Sequence, residues 1–208
     1  MDVVNDAGEL GRQERKAIAT RAKLRHATLQ VISEVGYYRA TTTMIAKSAG
    51  VSRGAQTHHY PNKIDLVVAA FDALVNEWNE TDRAFTKARA GEIDIADYLT
   101  FAWEAVFNHP HYVAAIEIML ATQGDPELAR RLKDLMRGPQ RLRFESWQTV
   151  FAHRLSPEQQ KVFSDMTVCL YRGMALQFTV AGLDKEGMDR MLRTWIDLVS
   201  RMVVEPRT

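Results

Sequence analysis

Cysteine is nearly absent from this chain: Cys169 is the single one in 208 residues, so no internal disulfide and no multi-cysteine metal site can form. That excludes a disulfide-stapled scaffold and suits a reducing compartment, the cytoplasm by default. Glycine and proline are sparse, 11 and 6 residues with long intervals between them, which is too little punctuation for a many-stranded β protein. Long apolar runs are missing as well. The longest, Leu66 to Phe71, is six residues, where a membrane span needs about 20. Residues Met1 to Gly11 are acidic and polar, without the basic start and apolar run of a secretory signal, and read as a loose tail. With 46% hydrophobic and 25% charged residues, the chain is expected to be a soluble all-α protein with a buried core.

The net charge of +1 conceals a dipole along the sequence. Residues 1–11 carry −3, Arg12 to Lys63 carry +8, and the remainder carries −4. A small cationic front end joined to a mildly anionic body implies that one end meets a polyanion, most often nucleic acid.

Arg15 to Val35 has apolar residues at helical spacing, with Ile18, Ala22, Leu29 and Ile32 on one face, and Gly36 stops it. A second short helix is expected from Thr42, whose hydroxyl would cap it. Gly50 makes a turn, and Ser52 caps a third helix reaching His59. Two short helices around a glycine turn form a helix-turn-helix. A long helix follows from about Asn62 to Arg89, with Asn62 and Asp65 as a capping pair, and it joins the basic end to the body. Further helices are expected over Ile93–His109, Pro110–Ala121, Pro126–Arg154 with a kink at Gly138-Pro139, Ser156–Gly182 and Asp184–Val204, about nine in total.

The string Gly36-Tyr37, Ala40-Thr41-Thr42, Ile45-Ala46, Ala49 to Gly54, His59-Tyr60 and Asn62-Lys63 resembles the DNA-binding signature of the TetR/AcrR family of transcriptional regulators. The resemblance covers roughly Arg15 to Leu74. It implies a loose tail over residues 1–11, a helix-turn-helix domain over 12–75 and an effector-binding and dimerisation domain over 76–208. Ser52, Arg53 and Gly54 open the recognition helix, where free amides and the helix dipole favour phosphate. Arg53 can also reach a guanine edge with two hydrogen bonds. Thr42 and Lys63 resemble family positions that touch the DNA backbone. Gln56, Thr57, His58 and His59 follow along the recognition helix, with Gln56 and Thr57 favoured for base contact if they face outward. At those two positions the family pattern is more often leucine and tyrosine, so this chain departs from it there.

Two motifs invite other chemistry. Gly50-Val51-Ser52-Arg53-Gly54 matches the Gly-x-Ser-x-Gly nucleophile elbow, but that motif needs a strand leading into it, and Ile45 to Ala49 is helical. His58-His59 and His109-Pro110-His111 lack the spacing of a zinc or di-iron site. No catalytic residue, metal or cofactor is therefore assigned, and a helical enzyme or carrier, or a protein-interaction adaptor, fits the cationic helix-turn-helix less well.

In the body, Trp103, Phe107, Phe144, Trp147, Phe151 and Phe178 supply aromatic rings for packing or for an apolar effector cavity, with His111, Glu117 and Gln177 as candidate orienting groups. The last two helices carry stripes at spacings of three and four: Val162, Met166, Cys169, Gly173, Leu176 and Val180, then Met188, Met191 or Leu192, Trp195, Val199 and Met202. In the family the corresponding pair meets its symmetry mate. The implied partners are double-stranded DNA, a second copy of the chain and a small-molecule effector, with no membrane. The expected activity is repression, with DNA binding at a pseudo-palindromic site relieved by a small apolar effector.

Overall fold

The computed structural model describes residues 11–88, 93–151, 155–182 and 184–204, without the side chains at 88, 138–144, 149–151, 180 and 203–204. The described residues are helical and include no strand. In chain order the helices are α1 (Arg12–Val35), α2 (Thr42–Ser48), α3 (Arg53–His59), α4 (Lys63–Ala88), α5 (Ile95–Ala102), α6 (Tyr112–Ala121), α7 (Pro126–Phe151), α8 (Pro157–Val180) and α9 (Lys185–Val204). α5 runs on into a π-helical turn, Trp103–Phe107, closed by Asn108 N–H donating to the Trp103 carbonyl at 2.8 Å. α7 continues through Gly138-Pro139 as one helix.

Local chemistry sets the helix ends. Gly36 ends α1 at φ 80° and donates its N–H to Ile32 O, and Gly50 turns the chain between α2 and α3 at φ 64°. Thr41, not Thr42, caps α2: its hydroxyl accepts from Met44 N–H at 3.2 Å, while Thr42 is already the first helical residue. Ser52 caps α3 through Ala55 N–H at 3.1 Å, and Asn62 accepts from Asp65 N–H at 2.9 Å before α4. Ser156 and Gln159 form a reciprocal capping box at α8, with Pro157 behind it.

The buried face of α1 begins only at Leu24 and continues through Ala27, Thr28, Leu29, Val31 and Ile32. Ile18 and Ala22, placed on that face by their spacing, are exposed, because the first half of α1 extends past the elements it packs against. Its lower half lies on α2, α4 and α6. The small side chains Ala114 and Ala115, both fully buried, let α6 approach closely.

One core contains Leu24, Ile32, Ile45, Leu66 and Phe71 together with Ala114, Ile118, Leu128 and Leu132. The helix-turn-helix and the body are thus packed around common side chains, and the core does not divide at residue 75. A second cluster joins Trp103, Phe107 and Tyr112 to Tyr171, Met174, Met188 and Leu192, and a third joins Ile95, Tyr98 and Leu99 to Trp147 and Val199. α4, about 39 Å long at 1.5 Å per residue, runs from the first cluster past the second.

Candidate nucleic-acid interface and interior cavity

The helix-turn-helix presents polar and cationic groups at its tip. Ser52, Arg53, Gly54, Thr57 and His58 are exposed on α3, and Lys47 is exposed on α2. A Cβ on Gly54 would meet nothing nearer than the Ser52 hydroxyl at 4.0 Å, so that backbone is open to close approach. The exposed first half of α1 adds Arg12, Arg15, Lys16 and Lys23. His59 is half-buried, and burial, with His58 and Arg21 nearby, holds its pKa below the ordinary histidine value.

Two of the residues expected at the DNA belong elsewhere. Gln56 is 1% exposed, and its Nε2 donates to the Tyr60 carbonyl at 2.6 Å. It takes the buried position that the family more often fills with leucine, and its amide is occupied inside the fold. Lys63 donates from Nζ to the Tyr37 carbonyl and lies over the Tyr37 ring at 4.2 Å. Burial draws its pKa down, opposed by Asp125. Its first task is to hold the loop after α1 against α4. Thr42 is half-buried.

Tyr37 is the centre of a polar junction that the sequence did not mark. Its backbone N–H donates to the Glu117 carboxylate at 3.3 Å and its hydroxyl donates to Asp125 at 3.0 Å. Asp125 also accepts from Leu128 N–H at 3.0 Å, starting α7. That amide, with Tyr37 and Lys63, keeps the Asp125 carboxyl below its usual range against the pull of desolvation. Arg131 of α7 pairs with Asp65 of α4. Glu117, expected as an effector-orienting group, therefore ties the helix-turn-helix to α6.

Beneath α4 lies a cavity of about 260 Å³ lined by Val75, Trp78, Phe107, Tyr112, Val168 and Arg172 among others. Of the aromatics expected to line such a site, Phe107 does so. Trp103 is fully buried against Tyr171 at 5.4 Å. Trp147 meets Tyr98 edge-on at 6.0 Å in the third cluster, and Phe178 is exposed on α8. The side chains of Phe144 and Phe151 lie outside the described residues, and Gln177 is exposed. His111 faces His26, with Nε2 and Nδ1 3.4 Å apart, and does not line the cavity. Trp78 and Tyr112, which do, were missed because nothing in their spacing distinguishes a cavity wall from a packed core.

On the last two helices, Cys169, Gly173, Leu176, Met191 and Met202 are exposed, as are Val162, Met166 and Leu198. Two expected interface residues turn inward. Val199 is 0% exposed, and Trp195 packs inside with Nε1 donating to Thr167 at 3.2 Å. The Val180 side chain lies outside the described residues.

Residues 24–70 match the family model of bacterial regulatory proteins of the tetR family. The HTH-type transcriptional regulator CymR of Pseudomonas putida is 28% identical over 190 residues, which are 89% of this chain and 92% of that protein. The chain belongs to the TetR family. Solved structures agree on the TetR-type fold. The fatty acid degradation regulator FadR of Bacillus halodurans superposes with a TM-score of 0.67 at 17% identity, over 96% of this chain and 100% of that one. FadR of Bacillus subtilis, solved in complex with stearoyl-CoA, gives 0.66 at 16% identity, over 88% and 98%. This TetR-family chain is a helix-turn-helix transcriptional regulator. Among the described residues no helix is long and apolar enough to cross a membrane.

Proposed function

We propose that the regulator is a homodimeric repressor that binds a pseudo-palindromic DNA site and is released by a small apolar effector. The observation carrying this reading is the course of α4: its first turns are built into the helix-turn-helix core, and Phe71, Val75 and Trp78 further along it line the cavity. A molecule that fits the cavity in only one position of α4 would shift the spacing of two recognition helices. Exposed Ser52, Arg53, Gly54 and Thr57 contact the major groove and its phosphates, with Thr42 and Lys63 at the edge. The exposed apolar residues of α8 and α9 form the contact with the second copy, as two half-sites about one helical turn apart require.

The test is fluorescence anisotropy of the purified protein with labelled fragments of its own upstream DNA at two salt concentrations. Binding that weakens steeply as salt rises, with a stoichiometry of two chains per site, is expected. Absence of binding at low salt, or an equal affinity for unrelated DNA throughout, refutes the proposal.

A further inference from the structure

The cavity wall holds two groups that packing alone does not employ. Around Phe71, Val75, Val106 and Met119 it is apolar, but it also includes Trp78 and Arg172. The Trp78 indole N–H is shut off from solvent and has no acceptor among the described residues. Buried indole N–H groups ordinarily find one. Arg172 is the one ionisable group other than Tyr112 in that wall, and no carboxylate among the described residues pairs with it. An apolar chamber with an unused donor and an uncompensated cation at its edge matches a ligand with a greasy body and one anionic acceptor.

Size narrows the class. At about 260 Å³ the cavity lies below the roughly 300–1,000 Å³ of sites for drug-sized molecules. A long acyl chain on a nucleotide carrier, like the stearoyl-CoA bound by the Bacillus subtilis FadR, is far too large for it. Ring faces at Phe71, Trp78, Phe107 and Tyr112 favour a flat partner. We infer that the cavity binds a compact aromatic monocarboxylate, one oxygen accepting from Trp78 Nε1 and the charge balanced by Arg172. The inference rests on the reading of this cavity as the effector site.

Calorimetry of the full-length protein with benzoate, 4-tert-butylbenzoate and 2-naphthoate, each beside its primary amide, tests it without DNA. At least one carboxylate is expected to bind with a Kd below about 1 mM, and its amide about tenfold more weakly. Trp78→Phe keeps most of the ring and removes the donor, and should weaken the carboxylate about tenfold. Arg172→Met, at an exposed position, should abolish the preference for acid over amide. Failure of all three carboxylates, equal affinity for acid and amide, or wild-type affinity in either variant overturns the assignment. Anisotropy with DNA separates the two readings. DNA binding without carboxylate binding sinks the ligand class alone, whereas carboxylate binding without DNA binding sinks the repressor reading alone.

Discussion

Replacing Gln56 tests whether a recognition-helix residue reads DNA or holds the fold. The side chain is 1% exposed and donates to the Tyr60 carbonyl at 2.6 Å. Gln56→Leu keeps its approximate volume, gains apolar burial and loses the donor. A buried neutral hydrogen bond contributes about 0.5–1.5 kcal/mol and a stranded carbonyl costs about 1–3 kcal/mol, part of it offset by the leucine. The balance is a destabilisation of about 1 kcal/mol, or a drop of about 2–4 °C in Tm for a chain of this length. Gln56→Glu is nearly isosteric but puts an acceptor against the carbonyl and a charge in a dry site, so it should cost more, about 3 kcal/mol. Thermal melting by circular dichroism reads stability, and anisotropy well below the melting point reads site preference. Gln56→Leu should change the first and leave the second. Unchanged melting in both variants together with altered base preference would mean that Gln56 turns outward, and the buried assignment would be wrong.

Other outcomes follow from the same geometry. Arg53→Ala should relax base preference at one position and cost about 1–3 kcal/mol in binding, whereas Lys63→Ala should weaken all sequences alike and also lower Tm, because Lys63 holds Tyr37; an unchanged Tm for Lys63→Ala would refute that structural role. His111 has its pKa lowered, first by burial and then by His26 and His109. Its contribution to stability is therefore present above the unfolded histidine pKa, near 6.5, and is lost as pH falls through the lower folded value. Denaturant unfolding at stepped pH should show this loss, and His111→Gln should flatten the slope. Leu198→Asp, at a position 50% exposed on α9, should leave the monomer folded and reduce dimerisation in analytical ultracentrifugation; an unaltered dimer would place the interface elsewhere.

How much the sequence disclosed depended on how far apart the interacting residues lie. The Gly50 turn and the Ser52 cap were legible because each is a contact within a few residues. Thr41 and Thr42 are equally good caps by type, and only the turn geometry chose Thr41. Gln56 looked like a reader because polar residues usually face water, and its partner is a backbone carbonyl that composition does not reveal. Tyr37 and Glu117 are separated by 80 positions, so no local pattern joins them. Trp147 and Phe107 are both aromatic and both buried, but one meets Tyr98 and the other faces the cavity; that difference arises from how α5, α7 and α8 cross.

The side chains shared between the helix-turn-helix and α6–α7 also limit what can be cut or grafted. A headpiece severed after residue 75 would expose Leu24, Ile32 and Phe71 where Ala114, Ile118 and Leu132 had covered them. Anyone building a chimeric biosensor from this regulator would have to carry α6 and the first half of α7 along with the DNA-reading end, because exchange at a linker would tear an interior open.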